Sequence, residues 1–311
     1  MSRADALSQW FYYGLWFVKA KMGVRDSLVN TMIINYECNL RCKHCSIVAH
    51  VDQLPKPHSI PYESAVREMR EHFERGARIL FFEGGEPTMW KDDGLTLRDL
   101  IAAGRDIGYF VIGYTTNGTR EIVEDSDVVS ISIDGPREVH DEVRGGGSFD
   151  RMMENLAKTS HPNVFANMVV TRMNKDKVRE TVEEVARNSR IRGIMLNFLT
   201  PPPYEIALKP GEKREVVQHA LEMKGRGMPI LNTDRALADL LEEDWEEKCP
   251  DWVSAFVMPD GSKVLGCPLR HTESCKQCGF NAVREYRLIV KGNLETITQM
   301  SGMFALSTKR R

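Results

Sequence analysis

Three of the chain's seven cysteines fall inside one eight-residue run, Cys38-Asn39-Leu40-Arg41-Cys42-Lys43-His44-Cys45, with spacing C-x3-C-x2-C. Thiolates this close cannot surround a metal from a regular strand or helix, so the run predicts a loop wrapped around a metal centre. Three cysteines leave a cubane iron–sulfur cluster one ligand short, because clusters held wholly by protein use four. An iron without its fourth protein ligand can bind a small molecule, as open catalytic metal sites do. Read alone, the run also fits a structural zinc knuckle or three unrelated thiols.

The other four cysteines, Cys249, Cys267, Cys275 and Cys278, have spacings x17, x7 and x2. A disulfide framework favours an even count in a short secreted chain. Seven in 311 residues divides more naturally into one open and one closed metal site. For the closed site, zinc held by four thiolates is the plain structural reading. Both sites need reduced thiols, which predicts a cytoplasmic location. The net charge of −2 gives no reason to expect nucleic acid as a partner. No apolar run reaches the roughly 18 residues that span a bilayer, and no secretory signal is read at the N-terminus.

From residue 28 onward, short apolar strands alternate with amphipathic helices. The strands are expected near 28–36, 78–84, 109–115, 128–134, 164–170 and 193–199. Helices are expected from Tyr62 after Pro61, and near 95–107, 148–159, 174–190 and 211–225. Between the third and fourth strands there is room for about one helical turn. This alternation predicts a parallel sheet with helices outside. Six units are too few for an eight-stranded barrel, so the expected fold class is α/β, a partial (β/α)6 barrel open on one side. Ligands of parallel α/β folds sit at the carboxyl ends of the strands. The expected division is an N-terminal helix over 1–27, the barrel over 28–230 and a small cysteine-rich region over 231–311. In the last, Met258-Pro259-Asp260-Gly261 reads as a hairpin turn, and the chain after Cys278 reads as helical, ending in basic Lys309-Arg310-Arg311. A loop carrying Pro201-Pro202-Pro203 leads into the last barrel helix.

Ahead of the barrel, Trp10, Phe11, Tyr12, Tyr13, Trp16 and Phe17 precede Lys19, Lys21 and Arg25. A helix here is apolar around most of its circumference. It suits a membrane interface, and equally docking on its own domain or on a second subunit.

Strand ends carry the remaining polar motifs. Gly84-Gly85-Glu86-Pro87 ends the second strand; glycines admit close backbone approach, and Glu86 can accept hydrogen bonds from an ammonium. An ordinary turn is the bland alternative. Thr116-Asn117-Gly118 ends the third strand. In the fourth, side-chain alternation puts Ser130, Ser132 and Asp134 on one face. Asn167 sits in an otherwise apolar strand and needs a polar partner if buried. Arg144 follows a run of acids and suits either a bound carboxylate or a surface ion pair.

Together, the cysteine run, GGEP about 40 residues later, TNG and S-x-D-G resemble the radical S-adenosylmethionine (SAM) superfamily, whose signature is C-x3-C-x-φ-C; here His44 holds the φ position. The resemblance covers roughly residues 28–280. It implies a [4Fe–4S] cluster on Cys38, Cys42 and Cys45. The cluster binds SAM and cleaves it to a 5′-deoxyadenosyl radical. It further implies SAM contacts at His44, Gly84, Gly85, Glu86, Thr116, Asn117, Ser132, Asp134, Arg144 and Asn167. The four later cysteines resemble the shortened auxiliary-cluster (SPASM-like) region, which implies a second [4Fe–4S] cluster. An electron donor such as ferredoxin or flavodoxin follows from the same resemblance. Within the superfamily, the apolar N-terminal helix resembles the branch that modifies hopanoid or archaeal isoprenoid lipids, with peripheral membrane association. Modification of a ribosomal peptide is the alternative, and a non-enzymatic metal-binding regulator is the reading from another class. No catalytic side chain is assigned beyond the cofactor ligands.

Overall fold

The computed structural model describes residues 3–200, 204–242 and 245–305. Pro201-Pro202-Pro203 and Lys309-Arg310-Arg311 lie outside the described residues. Six strands run parallel in sequence order: β1 (Val29–Asn35), β2 (Ile79–Gly84), β3 (Val111–Thr116), β4 (Val128–Ser132), β5 (Val164–Val170) and β6 (Ile191–Phe198). All six expected strands are present. Their alternate residues serve two cores. One set, including Met32, Leu80, Phe82, Ile112, Val129, Met168 and Leu196, is buried beneath the helices. The other faces inward, where Val111, Val128 and Phe165 pack with Ile79 and Phe81 at the amino ends of the strands. Higher up the same inward rows, toward the carboxyl ends, stand Glu83, Thr115, Ser132 and Val169. The strands are thus plugged below and open above.

The first helix, α1 (Arg3–Lys21), precedes β1; α2 (Tyr62–Glu74) and α3 (Leu97–Ile107) follow β1 and β2. A Thr96–Asp99 capping box starts α3, satisfying donors that a helix N-terminus leaves free. The short link between β3 and β4, with room for about one helical turn, is built of turns. Asp127 accounts for this. Its carboxylate receives Ile112 N–H and the Arg105 guanidinium, tying the link down without a helical turn. The segment around His140 is a helix, α4 (Arg137–Arg144), which is followed by α5 (Ser148–Lys158). The barrel helices end with α6 (Val178–Arg187) and α7 (Pro210–Gly225).

The hairpin expected after residue 250 forms as β7 (Ser254–Val257) and β8 (Lys263–Leu265), turning at Asp260-Gly261. It is not isolated: β7 pairs in parallel with β1, Val29 opposite Ser254, giving the sheet order β8-β7-β1-β2-β3-β4-β5-β6. Among the later helices, α8 (Asp234–Asp239), α9 (Trp245–Lys248) and α10 (Glu273–Lys276) are short, whereas α11 (Asn281–Lys291) and α12 (Leu294–Ala305) fulfil the helical reading. The start of α11 is bound to β6 through Asn281 N–H and the Asn197 side chain. Further along, Tyr286 and Val290 pack with Val29 and Val253. Thus α11 crosses the side on which β1 and β6 do not pair.

One face of α1 is docked. Tyr12 Oη donates to Gly76 O at 2.6 Å, Trp16 Nε1 donates to Asp26 O at 2.8 Å, and Trp16 and Phe17 pack with Val29 and Tyr286. The opposite face exposes Leu7, Phe11, Leu15 and Val18. No helix among the described residues is long and apolar enough to cross a membrane.

Candidate functional site

The cysteine loop follows β1 and closes over the carboxyl ends of the strands. A cavity of about 210 Å³ lies beneath it, lined by Cys38, Cys42, Cys45, His44, Glu83 and Arg144 among others. Burial pushes the Cys42 thiol up to about 11 and also raises Cys38; bound metal reverses this by taking the thiolate form. The surroundings suit thiolates. Leu40 N–H donates to Cys38 Sγ at 3.4 Å, Asn117 Nδ2 lies 3.7 Å from the same sulfur, and Arg144 Nη1 lies 3.9 Å from Cys42 Sγ. Donors aimed at sulfur are among the features that tune protein-held clusters. These three cysteines therefore fit a cluster ligand set.

Arg144 and Asp134 form the electrostatic anchor of the loop. Arg144 Nε donates to Asp134 Oδ2 at 2.6 Å, and His44 Nε2 sits 2.8 Å from the same oxygen. Asp134 Oδ1 receives Val169 N–H at 3.0 Å. Burial alone would raise the Asp134 carboxyl, but Arg144 and then His44 hold it well below the usual carboxylate range. Asp134 is fully buried and outside the cavity lining. Its carboxylate is engaged by Arg144, His44 and Val169 N–H, and so orients the first two. Arg144 does line the cavity, as a buried ion-pair partner and not as part of a surface pair. His140, beside them, accepts Asp134 N–H at 3.3 Å, and burial pushes it down to about 4.

Glu86 stands in the turn that follows β2. It is fully buried and does not line the cavity. Its Oε1 receives Thr88 N–H, Thr88 Oγ1 and Thr116 Oγ1, and its Oε2 receives Asn117 N–H at 2.8 Å. The carboxylate therefore fastens the end of β3 to the end of β2. The glycines before it also have a structural task. A side chain at Gly84 would strike Asn35 O, and one at Gly85 would strike Glu37 O. Gly85 N–H and Glu86 N–H are already given to those carbonyls. Both glycines still line the cavity, as do Thr116, Asn117 and Ser132.

Asn167 finds its polar partner in the protein. Its Oδ1 accepts Asn197 Nδ2 at 2.7 Å, and Asn197 Oδ1 accepts Asn281 N–H at 2.8 Å. Asn281 continues to Glu285, which also receives Thr233 N–H and Oγ1. Asn167 is thus removed from the cavity lining and begins a polar chain into α11.

Missed from the sequence are Glu83, Thr115, Leu199 and Thr200, all of which line the cavity. Thr115 Oγ1 donates to Glu83 Oε1 at 2.7 Å. Burial, opposed by that hydrogen bond and reinforced by Glu86, pushes Glu83 up to about 7. Strand alternation would have revealed it, because Ile79, Phe81 and Glu83 share the inward face of β2.

The second cysteine set gathers beside α11. Cys249 directly follows α9, Cys267 follows β8, Cys275 lies in α10 and Cys278 precedes α11. Burial pushes Cys249 up to about 12 and Cys267 up to about 11. Arg284 Nη1 donates to Cys278 Sγ at 3.2 Å, while its guanidinium lies 3.9 Å from the Trp245 ring centroid. Among the described residues, no three His, Cys, Asp or Glu side chains are grouped to hold a single metal ion.

A family profile described as the radical SAM superfamily matches residues 32–185. The mycofactocin maturase MftC of Mycolicibacterium smegmatis is 32% identical over 181 residues, covering 53% of this chain and 43% of the relative. The AdoMet-dependent heme synthase of Oleidesulfovibrio alaskensis is 33% identical over 153 residues, covering 45% and 38%. The chain thus spans less than half the length of these curated relatives. Among solved structures, Streptococcus suis SuiB bound to precursor peptide SuiA aligns with TM-score 0.60 and 13% identity, covering all of this chain and 73% of SuiB. Native anSMEcpe with bound AdoMet and Kp18Cys peptide aligns with TM-score 0.58 and 18% identity, covering 89% and 83%. At these identities the structural likeness establishes the fold, and the profile match contains the cysteine loop, the GGEP turn and the Asp134–Arg144 pair. Over residues 32–185 the chain is a member of the radical SAM superfamily.

Proposed function

We propose that this chain is a radical SAM enzyme that modifies a peptide. The observation that carries the radical chemistry is the convergence of Cys38, Cys42 and Cys45 on one cavity with Gly84, Gly85, Ser132 and Arg144. When bound, the cluster and SAM supply a 5′-deoxyadenosyl radical able to remove a hydrogen atom from an unactivated carbon. This chain's contribution is to hold the cluster through three thiolates, direct Asn117 and Arg144 at the sulfurs, and enclose the ligand at the strand ends.

Support for a peptide comes from the relatives: a mycofactocin maturase, a sporulation killing factor maturation protein of Bacillus subtilis, and a SuiB structure bound to a precursor peptide. The lipid-branch resemblance receives no support from these relatives, and the peptide alternative replaces it. The four later cysteines are proposed to hold a second [4Fe–4S] cluster, with Arg284 beside it. The exposed stripe of α1, flanked by Lys19 and Lys21, supports a membrane-surface role. That role predicts flotation of the full chain with anionic vesicles and loss of flotation on truncation to Ser27.

Anaerobic reconstitution with iron and sulfide analysis, followed by SAM cleavage, tests the enzyme reading. About eight irons per chain are expected from two four-iron clusters, with peptide mass changes traced by mass spectrometry. Absence of SAM cleavage overturns the enzyme reading. Cleavage that responds to a tetrapyrrole and not to candidate peptides overturns the substrate class alone.

A further inference from the structure

A second cavity, of about 340 Å³, stands between α8 and the end of α11, and none of the cysteines or strand-end residues lines it. Three cations do, Arg235, Arg287 and Lys291, against a single carboxylate, Asp239. That carboxylate is already committed. Its side chain is 2% exposed, Arg287 Nη1 donates to Oδ2 at 2.9 Å, and Arg235 Nε lies 3.2 Å from Oδ1. Glu242, 3.5 Å from the same Arg287 nitrogen, is shared with Lys248 Nζ at 2.7 Å. The Arg287 side chain is therefore pinned through Nη1 and is only 11% exposed. A guanidinium carries five N–H groups, and those on Nε and Nη2 have no protein acceptor among the described residues. Lys291 has no carboxylate partner among the described residues either.

The turn from α11 to α12 adds a donor and no free acceptor. Gly292 and Asn293 N–H are given to Ile289 O and Leu288 O, which satisfies the carbonyl end of α11. Asn293 Oδ1 receives Thr296 N–H at 2.9 Å, and its Nδ2 is left on the cavity wall. Like charges gathered in one wall repel one another unless an anion sits between them. Donors from three sides around a space of this size suit an anion with several oxygens, and phosphate matches the guanidinium fork.

The carrier of that phosphate is indicated by α1. A Cβ at Gly292 would stand 3.5 Å from Phe17 Cζ, so the turn that holds Asn293 rests against this helix. Phe17 is next to Val18 of the exposed stripe formed with Leu7, Phe11 and Leu15, and Lys21 Nζ stands 5.9 Å from the Phe17 ring centroid. An apolar stripe bordered by cations suits a membrane interface, and a basic pocket beside it suits an anionic headgroup.

We propose that this cavity binds the phosphate of an anionic lipid headgroup, with Arg287 as its fixed contact and Lys291 and Asn293 meeting it from the α11–α12 turn. The inference rests on the proposed membrane-surface role of α1 and adds a specific headgroup site to it. The lipid is a surface contact here, and the molecule modified is still a peptide.

The test uses the full chain after anaerobic reconstitution. It is floated with phosphatidylcholine vesicles containing phosphatidic acid, and its thermal unfolding is followed with glycerol 3-phosphate, the soluble form of that headgroup. Asn293→Asp keeps the oxygen that caps α12 and replaces the Nδ2 donor with negative charge. Lys291→Gln removes an exposed charge that belongs to no ion pair. Lys158→Gln, at an exposed position on α5, makes the same change in net charge away from the cavity. Vesicle affinity should fall about fivefold in Lys291→Gln, the share of one basic residue at an anionic surface. It should fall further in Asn293→Asp and stay at the wild-type value in Lys158→Gln. Glycerol 3-phosphate should raise the unfolding temperature of wild type and not that of Asn293→Asp. Equal weakening by Lys291→Gln and Lys158→Gln overturns the inference, since net charge would then account for binding. Full-strength flotation of Asn293→Asp overturns the headgroup site while the role of α1 stands. A wild type that does not float overturns both together, and protection by glycerol 3-phosphate in that case assigns the cavity to a soluble phosphate instead of a lipid.

Discussion

The two cysteine sets are built on opposite principles. Cys38, Cys42 and Cys45 come from one short loop and open onto a cavity, with donors reaching their sulfurs from separate elements: Leu40 in the loop, Asn117 after β3 and Arg144 on α4. Cys249, Cys267, Cys275 and Cys278 come from four places between β6 and α11, and none of them lines that cavity. Their cationic neighbour, Arg284, is stacked on Trp245 and receives support from Phe280 O and Cys278 O. The first set is local in sequence and incomplete as a ligand set, which suits an exchangeable ligand. The second is distributed and complete in number, which couples ligand geometry to folding of the whole region.

The largest effect should come from removing each set in turn. Replacing Cys38, Cys42 and Cys45 with Ala should abolish SAM cleavage and leave about four irons, those of the proposed second cluster. Replacing the four later cysteines should spare SAM cleavage without substrate while destabilising the region that carries α9, α10 and the start of α11. Iron analysis and SAM cleavage assays on both variants check the pair. Equal loss of cleavage in the two would break the contrast, making the second set as necessary to SAM cleavage as the first.

A second contrast concerns the cations beside the sulfurs. Arg144 answers to a buried carboxylate, whereas Arg284 answers mainly to carbonyls and a thiol. Breaking a buried ion pair leaves an uncompensated charge and costs about 3–5 kcal/mol. Asp134→Asn should therefore destabilise the fold by that amount, read by denaturant unfolding, and loosen His44 as well. Arg284→Met should cost less, about 1–3 kcal/mol for acceptors left unsatisfied. Its distinguishing signature is a more negative potential for the proposed second cluster, with the first unchanged, in an anaerobic redox titration. Comparable costs for the two substitutions would show that the second site is as charge-dependent as the first.

These contrasts also show what was legible in the sequence. Strand positions were, because β-branched and aromatic runs recur between amphipathic helices and each run is buried on both faces. So was the hairpin at Asp260-Gly261, since its turn chemistry is local. Its pairing with β1 was not, because Val29 and Ser254 are brought together by the path of the entire barrel. The same limit governed the site. Spacing identified the cysteine loop, and motif order identified the strand ends. Whether a side chain at a strand end faces the ligand or fastens two ends together depends on partners distant in sequence. Glu86 meets Asn117 and Asp134 meets His44 only after the sheet has formed. Asn167 was correctly read as needing a partner, yet that partner is Asn197. Aromatic density likewise located α1 without revealing that Tyr12 and Trp16 dock while Phe11 stays exposed.

The smallest effect separates the two carboxylates of β2's end, Glu83 and Glu86, without any ligand. Glu83 is pushed up to about 7 by burial and by Glu86, against an ordinary value of 4.5, with Thr115 and Tyr286 as its other close polar neighbours. Between those two pH values the folded protein binds more protons at this position than the unfolded chain does. By linkage, the Glu83 contribution to stability must then fall as pH rises through about 4.5 to 7. The wall of the cavity is open to water, so the effect is on the order of 1 kcal/mol and not the full value of a sealed site. Other groups titrate in the same range, and the informative quantity is the difference between wild type and Glu83→Gln. That difference, measured by denaturant unfolding without SAM, should favour wild type increasingly toward pH 5 and the variant toward pH 8. A difference independent of pH would mean that Glu83 is already compensated in the folded protein. Its contrast with the fully satisfied Glu86 would then disappear.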